Sequence, residues 1–337
     1  MAIVAGTTIA LSDAGGAHAA DSAVVLAYPD IGGGRAASSV TVQQFEAHFA
    51  ELKSGRYKVL PLHQIVQALR EGKALPDRAV ALTFDSAHRS IYRHAWPRLR
   101  DAGMPFTVFV PTDRVQPGST DYLDWDELRA MAAAGVSIGS QGATDLRMAS
   151  TPIDRVAADI ARSTEKLRHE LGAAFERQPL LFAYPYGEWS AAVASAVDQA
   201  GYVAAFGQHS GVAHASANRF GWPRFLFNQR FGDMARFRTA ANALPLPIRD
   251  LVPSDPLLKE NPPALGFTVD PIVGKLEQFH CFASEQGRVL VEMLGDVRVE
   301  VRMPGAFSPG RARVNCTMPG PDGRWRWLGI PLFVPRP

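Results

Sequence analysis

The chain has 337 residues, of which 47% are hydrophobic, and its 35 Lys and Arg against 33 Asp and Glu give a formal net charge of +2. This length and composition predict a sizeable buried core, with one large α/β domain and a smaller one. The near-neutral balance and the lack of a basic run argue against nucleic acid as a partner, and no stretch approaches the roughly 20 apolar residues that span a bilayer.

Residues 1–20 form a short apolar segment followed by small residues. An Ala-His-Ala triplet at 17–19 resembles the end of a secretory signal, although the basic region that usually precedes such a segment is missing. We therefore predict a signal or leader segment and an exported protein, either periplasmic or extracellular. A disordered leader rich in Ala and Gly is the alternative.

Residues 21–242 alternate between strand-like apolar runs and amphipathic helical stretches. The predicted strands are 23–29, 79–84, 106–111, 136–140, 180–187 and 202–207. The predicted helices are 41–55, 62–72, 93–103, 125–135, 152–171 and 190–200. This alternation predicts parallel strands with helices outside them, in a barrel or in a doubly wound sheet.

The pattern changes near residue 243. Residues 243–262 are dense in proline and are predicted to form a linker. Residues 263–337 contain short strand runs split by Gly- and Pro-containing turns, which predict a small antiparallel β-sandwich of about five to seven strands. The only two cysteines, Cys281 and Cys316, also lie here, and they would either pair in an exported protein or remain as two buried thiols.

Polar and aromatic residues follow most of the predicted barrel strands. Catalytic groups of parallel α/β folds gather at this end of the strands. A rim that combines hydrogen-bonding groups with flat aromatic rings suits a sugar ligand. The rim residues include Tyr28, Asp30, Asp85, His88, Asp113, Gln141, Asp145, Tyr186, Glu188, Gln208 and His209.

Three stretches carry a family resemblance: residues 39–112, residues 122–148 and the run FAYPYGE at 182–188. In order and spacing they resemble the polysaccharide deacetylase family, the NodB-homology domains of carbohydrate esterase family 4. The resemblance covers roughly residues 23–230 and implies a distorted (β/α)7 barrel. It also implies removal of N- or O-acetyl groups from glycans with the help of one divalent metal.

The positions that would bind this metal depart from the family pattern. The family motif Thr-Phe-Asp-Asp keeps Asp85 at the general-base position, whereas Ser86 replaces a metal ligand. The motif Ser-His-Thr-x-x-His reads SQGATD, so Gln141 and Asp145 replace both histidines. A catalytic zinc prefers about three charged or imidazole ligands. We therefore predict that no metal cofactor binds and that metal-dependent deacetylation has been lost.

A rebuilt metal site is the alternative. Asp85, Asp145, His88 and His209 carry ligand groups that could converge on a divalent metal such as zinc, which would leave an active N- or O-deacetylase. Against this alternative, a histidine in a polar loop is usually hydrogen-bonded or solvated, and an aspartate before a helical run often caps the helix.

The aromatic motif of the family is better preserved, in the run YPYG at 184–187. The resemblance implies a role in binding the substrate, and the same residues also suit a rigid turn before a helix. The family's usual arginine partner of the catalytic aspartate falls at Ala183, and the hypothesis is that Arg224 reaches Asp85 instead. The predicted substrate-binding residues are Tyr184, Pro185, Tyr186, Gly187, Trp189, His209 and Arg224.

These features predict a polysaccharide deacetylase-like protein that binds an exported or cell-surface polysaccharide, with acetylated sugars as the expected ligand. A structural alternative assigns glycan or protein binding to residues 263–337, with the barrel as a scaffold. No Gly-x-Ser-x-Gly motif is present, which argues against a serine hydrolase of the α/β type.

Overall fold

The structure is a computed structural model that describes residues 21–33 and 37–336. The predicted leader at 1–20 lies outside the described residues. The strands belong to two sheets, which follow one another along the chain. Across the described residues, none of the helices combines the length and the apolar character needed to cross a membrane.

The first sheet contains strands β1 to β9. They span Ser22–Tyr28, Lys58–Val59, Ala79–Phe84, Thr107–Val110, Ser137–Ser140, Leu181–Ala183, Ala204–Phe206, Ala213–His214 and Phe225–Leu226. Their main hydrogen-bonded order is β7-β6-β5-β4-β3-β1-β8, with β2 on β3 and β9 on β1. All of these pairs are parallel except β1 with β8.

Helices α1 to α8 connect these strands and follow them. They span Val42–Lys53, Leu62–Glu71, Trp96–Asp101, Trp125–Ala133, Ile153–Leu171, Ala173–Glu176, Ala191–Gln199 and Met234–Ala241. Local sequence explains where several of them begin: Thr41 and Asp124 each form a capping box with the residue three positions on. The predicted helix at 93–103 forms as a π-helical turn, Ile91–Ala95, followed by α3.

The first sheet curls, and the segment from Trp222 to Phe225 contacts both of its ends. Trp222 forms a parallel bridge with Phe206 of β7, and Phe225 pairs with Leu26 of β1. The structure thus has the mostly parallel, curled sheet with surrounding helices that a distorted barrel requires. We call β1 to β9 with α1 to α8 the barrel.

Aromatic rings fill part of the layer between the first sheet and helices α1 and α8. Tyr28 is fully buried, and its ring stacks on those of Phe84 and Phe227 with centroids 5.5 Å away in both cases. The Tyr28 hydroxyl also contacts His48 Nδ1 at 3.1 Å. The first rim residue is therefore part of the core and is not exposed at the end of β1.

The second sheet contains strands β10 to β17. They span Leu244–Pro245, Ile248–Val252, Leu265–Val269, His280–Ala283, Gly287–Leu294, Arg298–Arg302, Gly310–Pro319 and Trp325–Val334. Their order is β10-β17-β16-β13-β14-β15-β12-β11, and all pairs are antiparallel except β10 with β17.

The predicted antiparallel strands are confirmed, but the predicted two-layer sandwich is not. The strands form one continuous hydrogen-bonded path, which curls around its own apolar core. Alternating apolar and polar residues give each strand a buried face in either arrangement, so the sequence pattern alone does not separate the two. The predicted linker at 243–262 differs as well, because it contains β10 and β11 and buries Leu246 and Leu258 in that core.

A disulfide joins two strands of the second sheet. Cys281 in β13 and Cys316 in β16 lie directly opposite each other, with Cα atoms 4.0 Å apart. Of the two alternatives left by the sequence, the structure has the paired cysteines.

The second sheet packs closely against the barrel. A Cβ atom added to Gly329 of β17 would lie 2.0 Å from the carbonyl oxygen of Ser210, so only glycine fits there. Arg324 Nη1 donates to Asp77 Oδ1 at 2.7 Å, and its Nε donates to the Asn242 carbonyl at 2.7 Å. These contacts hold β17 against the loop that follows β7, and hold the residue before β17 against the segments before β3 and after α8.

Candidate functional site

Asp85 comes directly after β3 and is only 1% exposed. Both of its carboxylate oxygens are bound by Arg224, with Nη1 2.7 Å from Oδ1 and Nη2 2.9 Å from Oδ2. Gln208 Nε2 donates a third hydrogen bond to Oδ2 at 3.1 Å. The hypothesis that Arg224 reaches Asp85 agrees with this geometry.

Arg224 is fully buried, and four of its five N–H groups donate recorded hydrogen bonds. Its Nε donates to the Gly207 carbonyl at 2.9 Å, and Nη1 also contacts Thr83 Oγ1 at 3.1 Å. The guanidinium lies 5.3 Å from the ring centroid of Phe109. A buried ion pair with this many internal hydrogen bonds stabilises the fold around it, and Arg224 faces Asp85 and not a groove.

Ser86 and Gln141, at two of the expected ligand positions, contact each other. The Ser86 backbone N–H donates to Gln141 Oε1 at 2.7 Å, and Gln141 is 2% exposed. Ser86 has a φ of 66° and Ala87 a φ of 50°, in the left-handed region. The amide oxygen of Gln141 therefore stabilises the turn after β3.

Asp145, at the third ligand position, forms a salt bridge with Arg114. Its Oδ2 accepts from Arg114 Nε at 3.0 Å and from Nη2 at 2.6 Å. The preceding loop is held by Asp159 of α5, which accepts from the backbone N–H of Ala143 and the hydroxyl of Thr144, both at 2.8 Å. With the loop held in this conformation, the Asp145 carboxylate lies against the guanidinium of Arg114.

The residues at these three positions do not fit a catalytic cation. They offer a hydroxyl, an amide already hydrogen-bonded to the backbone and a carboxylate already paired with an arginine, where such an ion prefers about three charged or imidazole ligands. Within residues 21–33 and 37–336, no three His, Cys, Asp or Glu side chains lie together as a metal ion would require.

The rebuilt site expected from Asp85, Asp145, His88 and His209 is therefore not assembled in the described part of the chain. The ring of His88 stacks on Tyr122, with centroids 4.8 Å apart. His209 is buried, and its burial together with the nearby positive charge of Arg224 lowers the pKa of its imidazole to about 3.

The aromatic motif is mostly buried. The Tyr184 hydroxyl donates to the Phe220 carbonyl at 2.8 Å, and Trp189 stacks on Tyr184 with centroids 5.8 Å apart. Trp189 is only 7% exposed, so it belongs to the core and does not offer the ring platform that the sequence suggested. The sequence could not decide between a core tryptophan and a ring platform for a sugar, because a tryptophan beside a helix is compatible with both.

The turn around Tyr186 is the part of this motif nearest to open space. Pro185 and Gly187 are buried, and a Cβ atom on Gly187 would lie 2.5 Å from the backbone nitrogen of Gln208. Tyr186 has a φ of 57° and is half-buried, and the guanidinium of Arg147 lies 4.6 Å from its ring centroid.

Arginines from outside the resemblance also reach this region, and sequence reasoning missed them. Arg311 of β16 donates to the Tyr186 carbonyl at 2.7 Å and to Gln208 Oε1 at 3.3 Å. The run RARVN, residues 311–315, carried a usable signal, because alternate residues of a strand share one face and here they are Arg, Arg and Asn.

Comparison with known proteins gives a consistent answer. The model of the polysaccharide deacetylase family matches residues 72–205. A poly-β-1,6-N-acetyl-D-glucosamine N-deacetylase of Escherichia coli (strain K12) is 26% identical over 219 residues, which is 53% of this chain and 32% of that protein. The enzyme of the same name from Staphylococcus aureus (strain N315) is 27% identical over 198 residues, 56% of this chain and 68% of the relative.

Solved structures share the fold of the barrel. The Streptococcus pyogenes deacetylase PplD, in complex with acetate, has a TM-score of 0.59 at 18% identity and covers 65% of this chain and 98% of its own. IcaB from Ammonifex degensii has a TM-score of 0.58 at 23% identity, and the match covers 66% of this chain and 98% of the IcaB chain. The chain spans about a third of the length of the E. coli relative. The part of the barrel at residues 72–205 therefore resembles a polysaccharide deacetylase domain in sequence, and the barrel as a whole shares the fold of such domains.

Proposed function

We propose that this protein has lost the metal-dependent deacetylation site of its family and binds an exported or cell-surface polysaccharide. The observation that carries the proposal is the chemistry of the three ligand positions, where Gln141 Oε1 accepts from the Ser86 backbone N–H and Asp145 is paired with Arg114. Asp85 stays at the general-base position, and its pairing with Arg224 corresponds to the arginine partner that the resemblance implies for the catalytic aspartate. A general base alone does not replace the cation that polarises the acetyl carbonyl.

A family enzyme depends on a cation to polarise the acetyl carbonyl and to activate water. Ser86, Gln141 and Asp145 make other bonds and do not fit such an ion. The barrel and its loops nevertheless persist, which supports retention of a binding role without catalysis.

Polysaccharide binding and export have their own support. Two of the matched relatives are named for a poly-β-1,6-N-acetyl-D-glucosamine substrate, so a polymer with acetylated sugars is the first ligand to test. The disulfide between Cys281 and Cys316 favours an oxidising compartment, in agreement with the leader expected at 1–20.

The test combines metal content with product release. The purified protein is incubated with Zn²⁺, Co²⁺ or Ni²⁺, desalted and examined by elemental analysis, and acetate release is followed on acetylated glucosamine oligomers. We expect no stoichiometric metal, no acetate and measurable oligomer binding by calorimetry. A bound metal together with acetate release would overturn the proposal.

A variant with restored ligands shows that the test can detect a metal. The combination Ser86→Asp, Gln141→His and Asp145→His returns the three family ligand types to their positions, and aspartate tolerates the left-handed backbone at residue 86. We expect its affinity for Zn²⁺ to exceed that of the unmodified protein by at least about 100-fold, since even outer-shell changes alter affinity by about 10- to 100-fold. Equal affinities would mean that the unmodified chain binds metal elsewhere or that the site has no room for it.

A further inference from the structure

A polar cavity of about 570 Å³ lies between the barrel and the second sheet. On the barrel side it is lined by Tyr186, Gln208 and Ser210, and on the side of the second sheet by β16. Its volume falls within the range of about 300–1,000 Å³ that is typical of small-molecule sites. Gln208 separates this cavity from Asp85, because its Nε2 donates to Asp85 on the far side.

Three arginines line the cavity: Arg236 from α8, and Arg311 and Arg313 from alternate positions of β16. Within the described residues, neither Arg236 nor Arg313 forms an ion pair, with 4.0 Å as the limit. Arg311 Nε lies 3.9 Å from Glu188 Oε1, and that oxygen also binds Arg147. The arginines of the cavity therefore have little compensation from carboxylates.

One carboxylate, Glu285, also lines the cavity, and it is used locally. Its Oε2 accepts from the hydroxyl of Ser308 at 2.9 Å and from the Ser308 backbone N–H at 3.3 Å. Three guanidinium groups thus share the cavity with one acidic side chain. A cleft lined mainly by one sign of charge focuses the electrostatic field and attracts the opposite charge.

Partial burial of Arg236 makes its positive charge more costly, whereas Arg311 and Arg313 line the cavity as exposed residues. The Nε of Arg236 is buried without a hydrogen-bond partner in the described chain, and the guanidinium lies 5.8 Å from the ring centroid of Phe231 and 5.1 Å from that of Trp327. Burial lowers the pKa of Arg236, as does the positive charge of Arg313, while the charge of Asp233 raises it. Partial loss of hydration also lowers the pKa of Arg311, and Glu188 opposes this shift while Arg147 and Arg313 add to it.

We propose that this cavity binds the carboxylate of an acidic sugar residue, so that the protein recognises an anionic polysaccharide. This inference rests on the proposed glycan-binding function and names the chemical class of the glycan. Guanidinium groups match carboxylates in planar, two-point geometry, and amide and hydroxyl groups suit the hydroxyls of a sugar ring. The amide and hydroxyl groups that line the cavity belong to Gln208, Ser210, Asn228 and Asn315.

The experiment measures binding by calorimetry at low ionic strength with three glycans of equal length: an oligo-uronate, its methyl ester and an N-acetylglucosamine oligomer. Sodium acetate, inorganic phosphate and a single-stranded oligothymidylate are run in parallel. We expect the oligo-uronate to bind most tightly and its methyl ester about 10- to 100-fold more weakly, because hydrogen bonds to a charged group contribute about 1.5–3 kcal/mol each.

Two variants locate the binding site. Arg313→Gln and Arg236→Gln should each weaken oligo-uronate binding by about 10-fold or more. Arg288→Gln is the matched control, since Arg288 is exposed on β14 of the same sheet and lies outside the cavity lining. Circular dichroism establishes that each variant is folded, and a folded Arg313→Gln protein with unchanged affinity would overturn the inference.

The remaining outcomes separate this inference from the proposed function. If the N-acetylglucosamine oligomer binds as tightly as the oligo-uronate, glycan binding stands and the anionic specificity is overturned. If no glycan binds, both fail. Tighter binding of acetate or phosphate would make the cavity a small-anion site, and tighter binding of oligothymidylate would assign it to nucleic acid; either result overturns the inference.

Discussion

Gln208 lies between two regions that differ in how their charged groups are paired: the buried Asp85–Arg224 pair and the cavity lined by Arg236, Arg311 and Arg313. On the barrel side, Asp85 and Arg224 are buried together, and Arg224 donates to the carboxylate, to a backbone carbonyl and to a hydroxyl. On the cavity side, Arg313 has no ion-pair partner within the described residues, and Arg311 has only a distant one at 3.9 Å. Extensive internal pairing is typical of charges that maintain the fold, whereas a cleft lined mainly by one sign of charge attracts the opposite charge.

The largest effect is expected at the paired side. Arg224→Met leaves the Asp85 carboxylate buried without its cation, and removal of one partner of a buried pair costs about 3–5 kcal/mol. We expect the free energy of unfolding, measured by urea denaturation, to fall by about that amount.

The double variant Asp85→Leu with Arg224→Met is the matched control. Because it removes both charges, it should lose clearly less stability than the single variant. If both proteins lose the same amount, the cost comes from altered packing, and the description of this pair as a compensated charge is wrong.

The second effect concerns the sheet that carries Arg311 and Arg313. The disulfide links β13 to β16, the strand of Arg311 and Arg313, across a sequence separation of 35 residues. Substitution of both cysteines by alanine should lower the free energy of unfolding by about 2–4 kcal/mol. Reduction of the unmodified protein should reproduce this loss in urea denaturation, and insensitivity to the reductant would argue that the bond is not formed in solution.

The third effect lies between the two regions, at His209, which lines the cavity and is buried close to Arg224. Its pKa is lowered from 6.5 to about 3, so between these pH values the unfolded chain binds a proton that the folded chain does not. Stability from this group is therefore complete above about pH 6.5 and is lost as the pH falls towards 3.

A His209→Gln variant removes this titration. The stability lost between pH 7.5 and pH 4.5 should be about 2.7 kcal/mol smaller for the variant than for the unmodified protein, since the interval contains about two pH units below the unfolded pKa and each corresponds to about 1.4 kcal/mol. Urea denaturation at pH 7.5 and at pH 4.5 measures the change in the free energy of unfolding for each of the two proteins. Parallel losses would indicate that the imidazole is hydrated and not buried in solution.

The sequence predicted the barrel and the surroundings of Asp85 better than it predicted the cavity. The alternation of strands and helices, the position of Asp85 after β3 and the approach of Arg224 all follow from local patterns and from the family resemblance. The turn residues also carried local signals, since Pro185 and Gly187 suit a tight bend.

The cavity depends on long-range packing that no local pattern specifies. Sequence placed the second domain after a linker, whereas β10 and β11 lie within that segment and β16 faces the loops after β6 and β7. The alternate arginines of β16 indicated a charged face, but the partner of that face is about 100 residues away in sequence, as the 103-residue separation of Arg311 and Gln208 illustrates. Docking between two sheets determines that contact, and the pattern within each strand is compatible with many docked arrangements.

The smallest effect on stability is expected at Arg313, and it separates the two regions most directly. Arg313→Gln removes a charge that has no carboxylate partner in the part of the chain that the structure describes and that repels Arg236 and Arg311, so the free energy of unfolding should stay within about 0.5 kcal/mol of the unmodified value or rise. Arg324→Gln is the matched control, because Arg324 is paired with Asp77 and should lose about 1 kcal/mol or more. Equal losses in the two variants would mean that Arg313 is as fully engaged within the protein as Arg324, and the cavity would then have no unpaired charge to offer a ligand.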